Sequence, residues 1–164
     1  MTLLINDLPA ARRYFDTDGH ARAATDLRSR AEAVATIAAD HAVAVDRDAR
    51  FPAESIAALR EQRLLGIMAP EALGGEDASV SDMVDICFHL GRVCASTAMI
   101  FAMHQIKVAC VNRHRQSNAW HERLLRRLCS EQLLLASSTT EGQAGGNHLV
   151  ARRVRNRDRH RGLG

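Results

Sequence analysis

Apolar residues recur at helical spacing along most of this chain, and the spacing predicts a series of amphipathic helices. The first is predicted to begin at Asp26, with charged residues between its apolar positions, which are Leu27, Ala31, Val34, Ala38 and Val45. Residues 1–25 have only weak periodicity, so we expect them to form an irregular arm.

The segment FPAESIAALREQRLLGIMAP, residues 51–70, predicts a second helix. Pro52 suits the first helical position because its φ is already fixed near the helical value, and Glu54 places a carboxylate in the first turn. Ile56, Leu59 and Leu64 can share one face. Gly66 is predicted to end this helix, since glycine adopts the left-handed conformation without strain.

A connector, APEALGGEDASVSD, precedes the next helix. The pair Gly74-Gly75 can turn where a side chain would clash. Ser79 and Asp82 have the spacing of a capping box, in which each side chain accepts a hydrogen bond from the other residue's backbone N–H. A single apolar stripe is expected to follow, formed by Val80, Met83, Val84, Cys87, Leu90 and Cys94.

The longest apolar run, residues 94–111, predicts a helix that Ser96 or Thr97 could cap and that is apolar nearly all round. Such a helix is expected at the centre of the fold. His104, Gln105 and Lys107 near its middle would be costly in hydrocarbon, so a buried helix in a soluble protein is favoured over a membrane span.

Asn118 could cap one more helix, with Trp120, Leu124, Leu125 and Leu128 facing inward. After Cys129 the period changes and indicates the beginning of a strand. The predicted fold class is all-α with a short β segment. The predicted organisation is an arm (1–25), a helical domain (26–131), the start of a β-domain (132–148) and an arginine-rich tail (149–164).

Composition supports a packed helical domain, with 46% hydrophobic and only 4% aromatic residues. Six arginines lie in the last fifteen residues; without these, 16 basic and 18 acidic residues remain, a net charge of −2. The body of the protein therefore gives no reason to expect nucleic acid or an anionic membrane as partner.

Four cysteines without a C-x-x-C pair, and an N-terminus without a basic region before its apolar run, favour a reduced, cytoplasmic protein. The eight histidines match no zinc motif, and we expect no metal site. Neither a phosphate-binding P-loop nor a G-x-S-x-G elbow is present in the sequence.

Three segments in fixed order carry more information: FPAESIAALREQRLLGIMAPEALGG, CASTAMIFAMHQ and LLLASSTTEGQAGGN. Together, from about Asp26 to Asn147, they resemble the acyl-CoA dehydrogenase family of flavoproteins. Its members typically show F-P-x-E, L-L-G and P-E-x-x-G-G, then a buried helix, then T-E-P-x-A-G-S-D at the start of the middle domain.

The resemblance implies a subunit with a helical domain, a β-domain and a C-terminal bundle, assembled into a homo-oligomer that binds FAD and acyl-CoA or a related small molecule. It places Ser137, Thr139, Thr140, Gly145 and Gly146 against the flavin, where hydroxyl groups and close backbone approach suit a polar ring edge. Considered alone, the same segment is an ordinary turn before a strand.

The segment departs from the family pattern at three positions. Gly142 stands for the usual proline, Gly146 for serine and Asn147 for aspartate. The hydroxyl lost at Gly146 removes one hydrogen bond to flavin or substrate, which leaves a related flavin-dependent monooxygenase as an alternative to an acyl-CoA dehydrogenase.

Met99, Met103 and His104 lie on the helix that lines the acyl pocket in this family. Methionine suits a deformable apolar pocket, but the same spacing also fits plain core, and a histidine there also fits a hydrogen-bonded core residue. The catalytic carboxylate of the family belongs to the C-terminal bundle, which has no counterpart here, so no catalytic residue is predicted and we expect the chain alone to be inactive and not to retain FAD.

Past Asn147 the resemblance ends, and the tail VARRVRNRDRHRGLG admits three interpretations: out-of-frame or truncated coding sequence, which fits the abrupt loss of resemblance best, a disordered tail, or a basic binding arm. The functional hypotheses are accordingly a flavoenzyme fragment or a stand-alone helical interaction module. Flavin absorbance would favour the first, and salt-sensitive nucleic-acid binding the second.

Overall fold

A computed structural model describes the backbone of residues 17–117 and 119–136, and the side chains of residues 26–116 and 119–136. Five α-helices occur in these ranges: α1 Thr17–Arg47, α2 Ala53–Glu61, α3 Val80–Gly91, α4 Ala95–Arg113 and α5 Ala119–Glu131. The all-α prediction is confirmed. The first helix begins at Thr17, inside the range that the sequence suggested was irregular.

The main core joins α1, α2, α3 and α4. The positions predicted for α1 are confirmed as buried, from Leu27 through Val34 to Val45, because each turn places the next apolar residue on the same side. Leu27, Ala31 and Val34 pack with Ile56 and Leu59 of α2 and with other buried side chains, including Leu64, Leu65, Ile67, Ile86, Leu90 and Phe101. Ala38 and Val45 form a smaller cluster with Cys94.

The end of α2 differs from the prediction. The helix stops at Glu61, and Arg63 rather than Gly66 adopts the left-handed conformation, with φ of 53°. Gly66 lies in a 3-10 turn, Leu64–Gly66, where a side chain would meet the Sγ atom of Cys129 at 3.1 Å. The glycine is thus favoured by close packing against α5, and it does not end a helix.

The predicted turn at the glycine pair is confirmed. Gly74 has φ of 89°, in the left-handed region, and ends a 3-10 turn, Glu71–Leu73. At Gly75 a Cβ atom would lie 2.0 Å from the carbonyl oxygen of Ala69, so only glycine fits. Arg30 on α1 holds the loop through an ion pair to Glu76, at 2.5 Å, and also pairs with Asp26 on its own helix, at 2.9 Å.

The capping box of α3 is confirmed in both directions. The Ser79 hydroxyl accepts from the backbone N–H of Asp82 at 3.2 Å, and the Asp82 carboxylate accepts from the backbone N–H of Ser79 at 2.8 Å. The apolar stripe predicted for α3 is partly wrong. Ile86, which it omitted, is buried, whereas Val80 and Val84 are exposed because the helix turns a different face toward α1 and α4.

The caps and the inward face of the last two helices also differ from expectation. Cys94 is the N-cap residue of α4, so Ser96 and Thr97 lie inside the helix. On α5, Leu125 and Leu128 are buried as predicted, but Trp120 is exposed. Asn118, the predicted cap of α5, lies outside the described residues.

After α5, residues 133–136 run in irregular conformation, and the described ranges contain no strand. The predicted β segment continues into residues 137–148, which lie outside the description, so the proposed domain boundaries remain predictions. Within the described parts of the chain, no helix has both the length and the apolar character needed to cross a membrane.

Candidate functional site

The outer face of α4 carries three exposed large apolar side chains in a row. Met99 is 63% exposed, Met103 46% and Ile106 45%. Their spacing of four and then three residues places them on one stripe of the helix. We call this stripe the α4 apolar face. Sequence reasoning identified the two methionines and missed Ile106, although its position three residues after Met103 was a usable signal.

The opposite face of α4 is fully buried and includes polar side chains. Thr97, Phe101, His104, Gln105 and Val108 all have essentially no exposed surface. The central position predicted for α4 thus holds for its inner face, whereas the outer face is exposed in the described part of the chain. An all-round apolar sequence does not show which side the neighbouring helices cover.

The His104 ring connects two separate backbone segments. Its Nε2 atom lies 2.7 Å from the carbonyl oxygen of Leu65, in the 3-10 turn after α2. Its Nδ1 atom accepts a hydrogen bond from the backbone N–H of Leu135 at 3.0 Å. Burial lowers the pKa of His104, and the Leu65 carbonyl offsets this in part. His104 is thus held as a neutral ring.

Two glutamines extend this contact. Gln105 donates from Nε2 to the carbonyl oxygen of Leu64 at 2.7 Å, while its Oε1 atom is buried without a partner among the described residues. Gln132 accepts from the backbone N–H of Leu65 at 3.1 Å and donates to the carbonyl of Cys129 at 2.9 Å. Sequence reasoning assigned no contact to either glutamine, since the contacts depend on tertiary packing.

The structure therefore does not bring the three predicted pocket residues together. Met99 and Met103 lie on the α4 apolar face, whereas His104 is enclosed and bonded to backbone on the other side. The predicted flavin contacts, Ser137, Thr139, Thr140, Gly145 and Gly146, lie outside the described residues.

A groove of about 390 Å³ lies elsewhere, between α1 and α3. Its polar lining has mixed charge, with two arginines, two aspartates and a histidine: Arg28, Arg92, Asp82, Asp85 and His89. No group of three or more potential metal ligands occurs in the described ranges. Burial raises the pKa of the Cys87 and Cys129 thiols, so neither is a ready nucleophile.

These features define a helical domain whose central helix is packed on one side and presents an apolar face on the other. Residues 23–132 match the family model described as the acyl-CoA dehydrogenase N-terminal domain. The chain belongs to the acyl-CoA dehydrogenase family, which confirms the resemblance drawn from the sequence motifs.

Curated relatives include both dehydrogenases and hydroxylases. The chain is 32% identical over 117 residues to cyclohex-1-ene-1-carbonyl-CoA dehydrogenase of Geobacter metallireducens, which covers 71% of this chain and 30% of the relative. It is 31% identical over 121 residues to the oxygenase component of FADH(2)-dependent resorcinol hydroxylase of a Rhizobium species, covering 72% and 29%.

A shorter match gives 42% identity over 62 residues to 3-sulfinopropanoyl-CoA desulfinase of Paraburkholderia xenovorans, covering 38% of this chain and 16% of the relative. The chain thus spans less than a third of the length of these relatives. No solved structure matches it significantly.

Proposed function

We propose that this chain supplies the helical domain of an FAD-dependent oxidoreductase acting on an acyl-CoA thioester, and that the α4 apolar face lines the acyl part of the substrate. The observation that carries the proposal is the exposure of Met99, Met103 and Ile106 on one stripe of a helix whose other face is fully buried. Exposed apolar patches of this kind mark binding or contact surfaces.

The chemistry of the stripe suits an acyl chain. Methionine side chains are unbranched and polarisable, so they can follow an alkyl chain of variable shape. The described charged side chain nearest along the helix, Lys107, directly follows Ile106, where a cation could stay in solvent while its stem covers apolar surface. A face of this composition recognises length and shape rather than a particular polar group.

The substrate class comes from the relatives' names. Two of the three relatives act on CoA thioesters by name, which supports an acyl-CoA substrate. The resorcinol hydroxylase matches at almost the same identity and coverage as the dehydrogenase. A flavin-dependent monooxygenase acting on a small aromatic compound is therefore the second candidate.

The flavin contacts are proposed to come from Ser137, Thr139, Thr140, Gly145 and Gly146, as the family motif implies. FAD would supply the hydride acceptor in such an enzyme. The groove between α1 and α3 is a poor fit to a flavin, because carboxylate and guanidinium groups line it beside the apolar side chains of Leu27, Ile86 and Phe88. No reaction step is assigned to residues of this chain.

The acyl-chain proposal can be tested with methyl-labelled methionine. The full 164-residue chain has five methionines, of which Met99 and Met103 are exposed on the α4 apolar face and Met68 and Met83 are half-buried. Octanoyl-CoA should shift the methyl signals of Met99 and Met103 and leave those of Met68 and Met83 in place. One wall covers only part of the acyl chain, so the dissociation constant should be about 1 mM.

CoA without an acyl group is the matched ligand control and should shift neither pair. If phenol shifts Met99 and Met103 while octanoyl-CoA does not, the monooxygenase is the better assignment. Equal shifts at all four positions, or none at any, would overturn the assignment of α4 as the acyl wall.

The chain alone is expected not to retain FAD. One segment without the other walls of a flavin site would give hydrogen bonds of about 0.5–1.5 kcal/mol each in competition with water. Micromolar retention needs roughly −8 kcal/mol net. Equilibrium dialysis with FAD followed by absorbance should show no bound flavin, and stoichiometric yellow protein would contradict this expectation.

A further inference from the structure

The protonation state of His104 is fixed by its two partners. The Leu65 carbonyl can only accept, so Nε2 must carry a proton; the Leu135 N–H can only donate, so Nδ1 must present its lone pair. The ring is therefore neutral and in one tautomer. A proton added at Nδ1 would face the Leu135 N–H directly, and the hydrogen bond could not persist.

The two hydrogen bonds of His104 connect three separate elements of the fold. The ring lies on α4, Leu65 in the turn after α2, and Leu135 four residues past the end of α5. The bond thus ties the segment leaving the helical domain to two elements of its core. Gln132 anchors the beginning of the same segment through the Leu65 N–H, so residues 132–135 are held at both ends.

We propose that His104 is a proton-operated clasp: as a neutral ring it holds residues 133–136 on the helical domain, and protonation at Nδ1 releases them. This inference is independent of the flavin and acyl-CoA proposals, because it concerns only how the chain leaves the helical domain. The proton binds to His104, and the segment that contains Leu135 is the part that moves.

The surroundings of the ring permit such a response. The elements that contact α4 carry several charged or titratable side chains, among them Arg63 after α2, Asp82, Asp85 and Cys87 on α3, and Cys129 and Glu131 on α5, besides Lys107 on α4 itself. Among the described residues none of these perturbs the pKa of His104, which burial lowers first and the Leu65 hydrogen bond raises in part. No described carboxylate stands ready to stabilise the imidazolium.

The experiment measures the hydrogen-exchange protection of the Leu135 amide in the full chain by NMR, from about pH 7.5 to about pH 5, across the range where histidine titrates. Protection, corrected for the intrinsic exchange rate at each pH, should fall about tenfold or more on acidification, the loss expected for a buried donor deprived of its acceptor. The amides of Phe101 and Val108 on α4 should stay protected.

Two variants separate the two bonds. His104→Asn can place its oxygen near the Nδ1 position and cannot titrate, so Leu135 protection should remain at both pH values. His104→Gln can place its amide nitrogen near the Nε2 position and offers no acceptor at Nδ1, so protection should be low at both. His89→Asn removes a histidine outside the clasp and should leave the response of the wild type unchanged.

The proposal would be overturned by Leu135 protection that is the same at both pH values in the wild-type chain, or that falls equally in His104→Asn. Imidazole nitrogen NMR on the wild-type chain gives a second measurement that needs no variant. It should show Nε2 protonated and Nδ1 unprotonated at neutral pH, and a proton on Nδ1 at neutral pH would equally overturn the clasp.

Discussion

The two faces of α4 reverse the usual arrangement of polar and apolar side chains. The inner face buries His104 and Gln105 together with Phe101, while the outer face exposes Met99 and Met103. Both faces belong to the same helix, so they differ only in the parts of the protein that each one contacts. The inner face meets the backbone of the 3-10 turn Leu64–Gly66, whose carbonyl groups need donors.

That difference shows how this domain selects its buried residues. Leaving a buried carbonyl without a hydrogen-bond donor costs more free energy than burying a polar side chain that donates to it. Histidine and glutamine can therefore be preferred over leucine at these positions. The outer face has no such demand and is free to serve a contact. Burial on α4 thus follows the hydrogen-bonding needs of a neighbouring turn as well as hydrophobicity.

The largest contrast is expected from truncating one apolar side chain on each face. Phe101→Ala removes a ring from the main core and should lower the free energy of unfolding by about 3–5 kcal/mol. Met99→Ala on the outer face should change it by less than about 0.5 kcal/mol. Urea unfolding followed by circular dichroism measures both, and equal losses would mean that the two faces are equally buried in solution.

The sequence predicted what depends on local periodicity and local caps. The buried positions of α1, the capping box at Ser79 and Asp82, and the turn at Gly74 all follow from residues close together in the chain. Which side of α4 would be covered could not be predicted, because both sides are apolar and the covering elements are distant in sequence.

The same reason explains the misplaced left-handed residue and the missed polar contacts. The identity of Gly66 alone suggests a helix end, whereas its constraint in the fold is close packing against Cys129, over sixty residues away. Likewise the hydrogen bond between Gln132 and Leu65 joins residues that are distant in sequence, so it depends on how α5 packs. The family, in contrast, could be inferred from the order of the sequence motifs, because that inference does not depend on tertiary contacts.

A smaller effect is expected from Gln105→Met, which keeps the length of the side chain and removes its donor. The carbonyl of Leu64 would lose the 2.7 Å hydrogen bond, but the unpartnered Oε1 atom would also disappear. We therefore expect a loss of about 1 kcal/mol, at the low end of the range for an unsatisfied buried group. Urea unfolding checks this, and a gain in stability would show that the orphan oxygen outweighs the bond.

The inner face should also give the domain a pH-dependent stability. Burial lowers the pKa of His104 in the folded chain below the ordinary histidine value of 6.5. Below pH 6.5 the unfolded chain therefore binds more protons than the folded chain. The contribution of His104 is complete above that value and is lost as the pH falls toward the lower folded pKa. Urea midpoints measured across this range should decrease on acidification.

His104→Asn supplies the control for this titration because it removes one titrating group and leaves the other histidines. The decrease in urea midpoint between neutral and mildly acidic pH should be smaller in the variant than in the wild-type chain. Identical pH dependence in both proteins would assign the effect to other groups.

The smallest effect on folding, and the sharpest on association, is expected on the outer face. Met103→Lys places a charge on the α4 apolar face, and Val43→Lys adds the same charge at an exposed position on α1. Methionine and lysine have similar helix propensities, so Met103→Lys should change the unfolding free energy by less than about 0.5 kcal/mol. We expect copies of the chain to associate through this apolar surface when no ligand covers it, and a cation in the middle of the stripe should disrupt that association. Sedimentation at increasing protein concentration should therefore show less self-association for Met103→Lys than for wild type, with Val43→Lys close to wild type.

An equal decrease in both variants would mean that the added charge, and not the apolar face, governs association. The two faces of α4 would then differ only in how they pack.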